Sequence, residues 1–315
     1  FSFSFSAQST VDVDQSFYAS AYGLLTNQGT VTVIEVQPDG KILIGGQFTE
    51  VQGWGSSGVA RLNADGTVDT TFVGPDLSGA SFTGATIYAI AVQPDGKILI
   101  GGDIRIPATG PSGARGGIMR LNANGSVDTE FQPELLQFGS VVYDMELLAD
   151  GKLLLGGIFT PVSSATPSNL CRFTATGALD TVFVPDVGGA RIKDIELQPD
   201  GQMIVGGFTE PGVPVVRRFN SDGSPDAGFT SITTGSGRVE AVKLQTDGKI
   251  AIAGSFTDLN GAAHKSVSRL NANGTFDGAF TPGNPGADAI VNELEIRPDG
   301  KMIIAGAFST YNDTP

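Results

Sequence analysis

Short stretches in which apolar and polar residues alternate give way, at regular intervals along the chain, to short continuous apolar runs. Residues 31–36, VTVIEV, alternate; after Gln37 to Gly40, QPDG, the run KILIGGQF (41–48) is apolar at three consecutive positions, Ile42, Leu43 and Ile44. Alternation predicts a strand with two unlike faces, and the continuous run predicts a strand covered on both faces. Pro38 and Asp39 suit the centre of a type I turn, and Gly40 takes the left-handed position that closes a bulged hairpin. A third stretch, GVARLN (58–63), turns through Ala64, Asp65 and Gly66 into a fourth, TVDTTF (67–72). Each such unit therefore predicts four antiparallel strands.

The whole pattern of residues 31–72 returns at 88–131, 143–183, 193–229 and 240–280, and its first half returns at 292–308. The turn glycines Gly40, Gly96, Gly151, Gly201, Gly248 and Gly300 are spaced by 56, 55, 50, 47 and 52 residues. A four-stranded unit of about this length cannot bury both faces alone, and six in series predict an all-β, six-bladed β-propeller occupying 1–315 as one domain. The last blade holds only two strands at 292–308. Residues 1–17 are expected to complete it, with Phe17 in the place of Phe72, Asp14 in that of Asp69 and Ser6 where Arg61 would stand, so that no sheet edge stays open; the competing reading is a longer chain that continues past Pro315 and supplies its own third strand. The glycine pairs that end the second strand, such as Gly45–Gly46 and Gly206–Gly207, fit close approach between blades. They are not read as a nucleotide loop, since no helix follows to receive a phosphate.

One spacing adds chemistry to this frame. If the third and fourth strands share a bulged type I turn, Leu62 faces Val68 and Arg61 faces Asp69. The same eight-residue spacing recurs as Arg120/Asp128, Arg172/Asp180, Arg218/Asp226 and Arg269/Asp277. Five symmetric copies read as structural ion pairs, not as catalytic sites.

Composition narrows function mainly by exclusion. The 315 residues carry 33 Asp and Glu against 19 Lys and Arg, a formal charge of −14. Such a balance does not suit nucleic acid or an anionic membrane, both of which require clustered cations. No run approaches the ~18 apolar residues of a membrane helix. With one cysteine, Cys171, an internal disulfide is impossible, and with one histidine, His264, multi-histidine zinc chemistry is too.

The combination of Q-P-D-G-K-I-L-I-G-G-x-F (37–48) with R-L-N-A-D-G-T-x-D-x-x-F (61–72), repeated over nearly the whole chain, resembles the delta-60 repeat, a bacterial β-propeller repeat of large secreted or cell-surface proteins. The resemblance implies a propeller in an exported protein, often beside adhesion-type domains. It implies no catalytic residue.

Two places could carry a site. The connections after the second and fourth strands vary in length and composition, and variable loops on a rigid scaffold are where recognition resides. Trp54, the only tryptophan, lies in the first of them and could stack on a sugar or anchor a protein. The first strands offer Glu35, Asp144, Glu146, Asp194, Glu196, Glu293 and Glu295, with Lys243 and Arg297 as the bases among them. Lining a channel, these carboxylates could hold Ca²⁺; the competing reading is hydrogen bonding from blade to blade. The expectation is a monomeric, non-catalytic module for a protein or polysaccharide ligand, with no nucleic acid, no membrane insertion and no obligate cofactor. The alternative is a metal-dependent propeller enzyme of lactonase or glycan-cleaving type.

Overall fold

The computed structural model describes residues 29–77, 85–106, 115–131, 133, 136, 139–161, 168–280 and 286–312. The expected closing strands at 1–17 lie outside these, as do most of the connections at 107–114 and 162–167. All regular structure among the described residues is β, in small antiparallel sheets, and no helix is long and apolar enough to cross a membrane. The chain groups into two compact units, within residues 1–133 and 134–315.

The first unit holds two blades. Thr30–Val36, Ile42–Gln47 and Val59–Leu62 form one sheet, and Thr86–Val92, Ile98–Ile106 and Arg115–Leu121 form the next. The second unit holds three blades of the same order, Val141–Leu147 with Leu153–Ile158 and Leu170–Phe173, Arg191–Leu197 with Met203–Thr209 and Val213–Phe219, and Val239–Leu244 with Ile250–Gly254 and Val267–Leu270. A two-stranded hairpin, Val291–Ile296 with Met302–Gly306, follows. In every blade the middle strand is the second in sequence.

The predicted turns are present. The amide of Gly40 donates to Gln37 O at 2.9 Å, that of Gln37 to Lys41 O at 2.8 Å, and Gly40 has φ 82°. The fourth strand is shorter than the alternation suggests, a single bridge such as Leu62↔Val68 or Leu270↔Phe276. The cause is local: Asp69 Oδ1 accepts from the amide and hydroxyl of Thr71, and the Phe72 amide donates to Asp69 O, which turns the chain out of the sheet after one pair.

Each first strand carries a bulge, at Thr32, Tyr88, Tyr143, Lys193, Glu240 and Asn292, which is position two when residues are counted from Val31, Ile87, Val142, Ile192, Val239 and Val291. The second glycine of the pair lies opposite. A Cβ on Gly207 would sit 2.0 Å from Arg191 O, so only glycine allows the bulged carbonyl to close in. The first glycine faces the next blade: a Cβ on Gly206 would be 2.4 Å from Val242. The cores therefore lie between blades. Leu154, Val205 and Ile195 share one cluster, and Ile204, Val242 and Ile252 share the next, all fully buried.

Candidate functional site

On the outer hairpins, Arg61 Nε donates to Asp69 Oδ2 at 2.8 Å, and Lys41 Nζ reaches the same oxygen at 2.7 Å. The Arg61 guanidinium lies 4.9 Å from the Phe72 ring centroid, and its Nη1 donates to Ala123 O in the next blade's turn at 2.7 Å. The other copies repeat this cluster. Arg120–Asp128, Arg172–Asp180, Arg218–Asp226 and Arg269–Asp277 are each joined by an Nε to Oδ2 bond of 2.7–2.9 Å. Arg172 and Arg218 also reach forward, to Ser221 O and Ala272 O. Burial pushes the Asp69 carboxyl up, but the hydrogen bonds from Lys41, Thr71 and Arg61 outweigh it and hold the group well below its ordinary range. Through Arg61, Arg172 and Arg218 these clusters clamp one blade to the next, and the lysine is a member that the Arg/Asp spacing alone does not reveal. Its signal is the Lys after each turn glycine (Lys41, Lys97, Lys152 and Lys249), which gives way to Gln202 in the fourth blade.

The acidic first strands of the second unit form a different arrangement. Past the bulge, side chains at the third and fifth positions face the following blade. Asp144 Oδ1 accepts from the Met145 amide at 2.8 Å and Oδ2 from the Ile195 amide at 2.7 Å, so one carboxylate spans two blades. Asp194 Oδ2 accepts from the Val242 amide at 2.6 Å, and Glu196 Oε1 from the Leu244 amide at 3.0 Å. In the fifth blade the third position is Ala241, which cannot cap the next amide. Glu293 Oε1 instead accepts from its own neighbour, Leu294, at 3.0 Å.

Lys243 answers this charge. Its Nζ lies 3.8 Å from Asp194 Oδ2, within the field of Glu293, Glu196 and Asp144. Burial alone would lower its pKa, yet those four carboxylates drive it upward. Burial and the adjacent Glu146 push Asp144 up to about 6, against hydrogen bonding from Ile195 and attraction to Lys243. Asp194 is raised by burial as well, with Lys243 opposing. Burial raises Glu196, with Leu244 and Lys243 opposing and Glu295 adding to the rise. Glu35, in the first unit, is half-buried and raised by burial. Among the described residues no three His, Cys, Asp or Glu side chains converge so as to hold a metal ion.

Trp54 is 41% exposed. It does not lie in an irregular loop. Glu50–Val51 and Trp54–Gly55 pair as a small hairpin turned by Gln52 (φ 50°) and Gly53 (φ 81°). Val51 is fully buried beneath it, while Gln52 donates to Gly66 O at 2.9 Å and accepts from the Val68 amide at 3.1 Å. Asp258–Leu259 and Ala262–Ala263 form the same device in the fifth blade around Asn260 and Gly261, with His264 following. The shared pattern F-T-[ED]-[VL]-[QN]-G (48–53 and 256–261) was the signal for both. His264 Nδ1 lies 3.1 Å from Ser268 Oγ and its ring stacks 4.3 Å from Phe276, but Ser268 is buried. This serine braces the loop and does not face a substrate.

Among curated proteins no sequence match is found. Among solved structures the chain is similar to the GH74 xyloglucanase from Xanthomonas campestris, with 12% identity, 85% of this chain and 42% of that chain covered and a TM-score of 0.51. It is also similar to YCF48 bound to D1 peptide, with 12% identity, 90% and 76% covered and a TM-score of 0.50. A protein of unknown function from Bacteroides caccae is 18% identical over 84% of this chain and 81% of that chain, with a TM-score of 0.46. At these identities the likeness is one of fold, and the chain spans less than half of the xyloglucanase. The family described as "Domain of unknown function (DUF5122) beta-propeller" matches residues 37–72, 93–131, 148–183, 198–229, 245–280 and 297–315, covering all six repeats. With more than half of its residues matched in this way, the chain belongs to that β-propeller family.

Proposed function

We propose that this propeller is a non-catalytic binding or scaffolding module of an extracellular or cell-surface bacterial protein, engaging a protein or polysaccharide through the rim formed by the connections after the second and fourth strands. The carrying observation is Trp54: a half-exposed indole on a two-strand hairpin that Val51 anchors and Gln52 ties to the outer turn. An aromatic held this way loses little conformational freedom on binding, which is what a recognition anchor requires. The resemblance of the repeats to secreted delta-60 proteins supports the location. The test is a glycan array and protein-fragment screen repeated with Trp54→Ala. The variant is expected to fold normally and to weaken the best ligand at least tenfold; unchanged binding would remove the tryptophan from the site.

One observation favours a second reading, an enzyme working by acid–base chemistry. Burial and the charge of Glu146 raise the Asp144 carboxyl to about 6, within the range a general acid needs near neutral pH. Turnover of lactone or glycoside substrates that disappears in Asp144→Asn would establish it. The carboxylate's engagement with two backbone amides supports the binding reading instead.

A further inference from the structure

On the rim of the second unit, Arg238 stands apart from the other arginines whose side chains are described. Those of the outer hairpins, and Arg191 and Arg297, each lie within ion-pair distance of a carboxylate. Arg217 donates from Nη1 to Asp186 O at 2.9 Å. Arg238 is exposed and has no carboxylate partner among the described residues, in a chain with an excess of acids. Its position is nevertheless fixed. The guanidinium carbon lies 4.2 Å from the centroid of Phe208, a buried ring of the preceding blade, and Arg191 approaches the same ring at 5.7 Å. The segment carrying it is pinned: Ser255 N donates to Arg238 O at 3.0 Å and Gly237 N to Gly212 O at 2.9 Å. At Gly237 (φ 111°) a Cβ would sit 2.4 Å from Phe256 Cα, so the close seat depends on glycine.

A planar guanidinium stacked on an aromatic ring, with its N–H edge unclaimed, is shaped for bidentate recognition of a carboxylate. Beside it, Arg191, which approaches the same ring, adds a second guanidinium and holds Glu210 Oε1 at 2.8 Å, so donors and an acceptor for hydroxyl groups lie next to the seat. Among the described residues between 185 and 302 there is no large exposed hydrophobic side chain. That favours a hydrophilic ligand over a protein, whose interfaces centre on apolar or aromatic anchors.

We infer that Arg238, seated on Phe208, is a binding site for the carboxylate of an acidic saccharide, a uronic acid residue within an oligosaccharide. The site is independent of Trp54 and survives if that residue binds nothing. The test is calorimetric titration of the full chain at low ionic strength with trigalacturonic acid, its methyl ester and tri-glutamate. Trigalacturonic acid is expected to bind, with the ester and tri-glutamate at least tenfold weaker. Arg238→Gln should weaken the acid at least tenfold without altering the melting temperature, Arg238→Lys should fall between, and the exposed, paired control Arg297→Gln should change nothing. No heat with trigalacturonic acid, equal affinity for its ester, or undiminished binding by Arg238→Gln would each overturn the site. Preference for tri-glutamate would overturn the saccharide assignment in favour of an acidic protein segment.

Discussion

Asp69 shows what one residue does in this repeat. Its carboxylate is 5% exposed and joins Arg61, Lys41 and the Thr71 amide in one cluster. Removing one partner from such a cluster leaves a buried charge uncompensated. Asp69→Ala is therefore expected to destabilise the chain by about 3 kcal/mol in urea unfolding, whereas Lys41→Met, which removes a cation that is 32% exposed, should cost well under half as much. Equal losses in the two variants would refute the hierarchy. The Arg/Asp partnership was legible from an eight-residue spacing, because a bulged type I turn fixes the register of a hairpin. The forward reach of Arg61 to Ala123 O was not, since it joins residues 62 apart and depends on how two sheets stack.

At the scale of the element, the bulged first strand is the recurring device. The bulge frees an amide at the fourth position, and a carboxylate at the third position of the same or the preceding blade accepts from it. Opposite the bulge only glycine fits. Gly207→Ala would place a carbon 2.0 Å from Arg191 O and is expected to give insoluble or strongly destabilised protein. Gly261→Ala, with nothing within 4 Å of its new carbon, should lose only the cost of a left-handed alanine, about 1 kcal/mol. A soluble Gly207→Ala protein with a normal melting temperature would contradict the packing. The sequence displays the glycine pair in four blades, with Ala253–Gly254 and Ala305–Gly306 in the last two, but the two members do different work. The first makes room for the next blade's side chains and the second for its own strand's backbone, a division invisible without coordinates.

Across the whole molecule, two sets of carboxylates pull stability in opposite directions with pH. The outer Asp groups have folded pKa values below the ordinary 3.8; Asp128, at about 2, is one. Their contribution is present above pH 3.8 and is lost as pH falls through the folded values. Asp144 and Asp194 have raised values, so their contribution is present below pH 3.8 and is lost as pH rises, for Asp144 through about 6. The formal charge of −14 at pH 7 adds self-repulsion on the same alkaline side. His264, lowered by burial, acts weakly the other way, favouring the fold above 6.5. The melting temperature is expected to peak between about pH 4 and 6 and to decline toward pH 8, and Asp144→Asn should flatten that decline. A curve still rising from pH 6 to 8 would show that the inner carboxylates are not buried as described.

By itself the sequence determined the repeat, the strand alternation, the turn types and the pairing of Arg with Asp. All of these are set by neighbours within about ten residues, where backbone geometry leaves few choices. The tertiary structure decided which oxygen of a carboxylate meets which amide of the next blade, that Trp54 stands on a hairpin and not in a loop, and that Arg238 is seated on Phe208 without a counter-charge. The Trp54 hairpin is local but is set by the burial of Val51 and the bonds of Gln52 to the outer turn; the others are contacts between sheets 30 to 60 residues apart, and their geometry follows from stacking, to which a linear pattern gives no direct access.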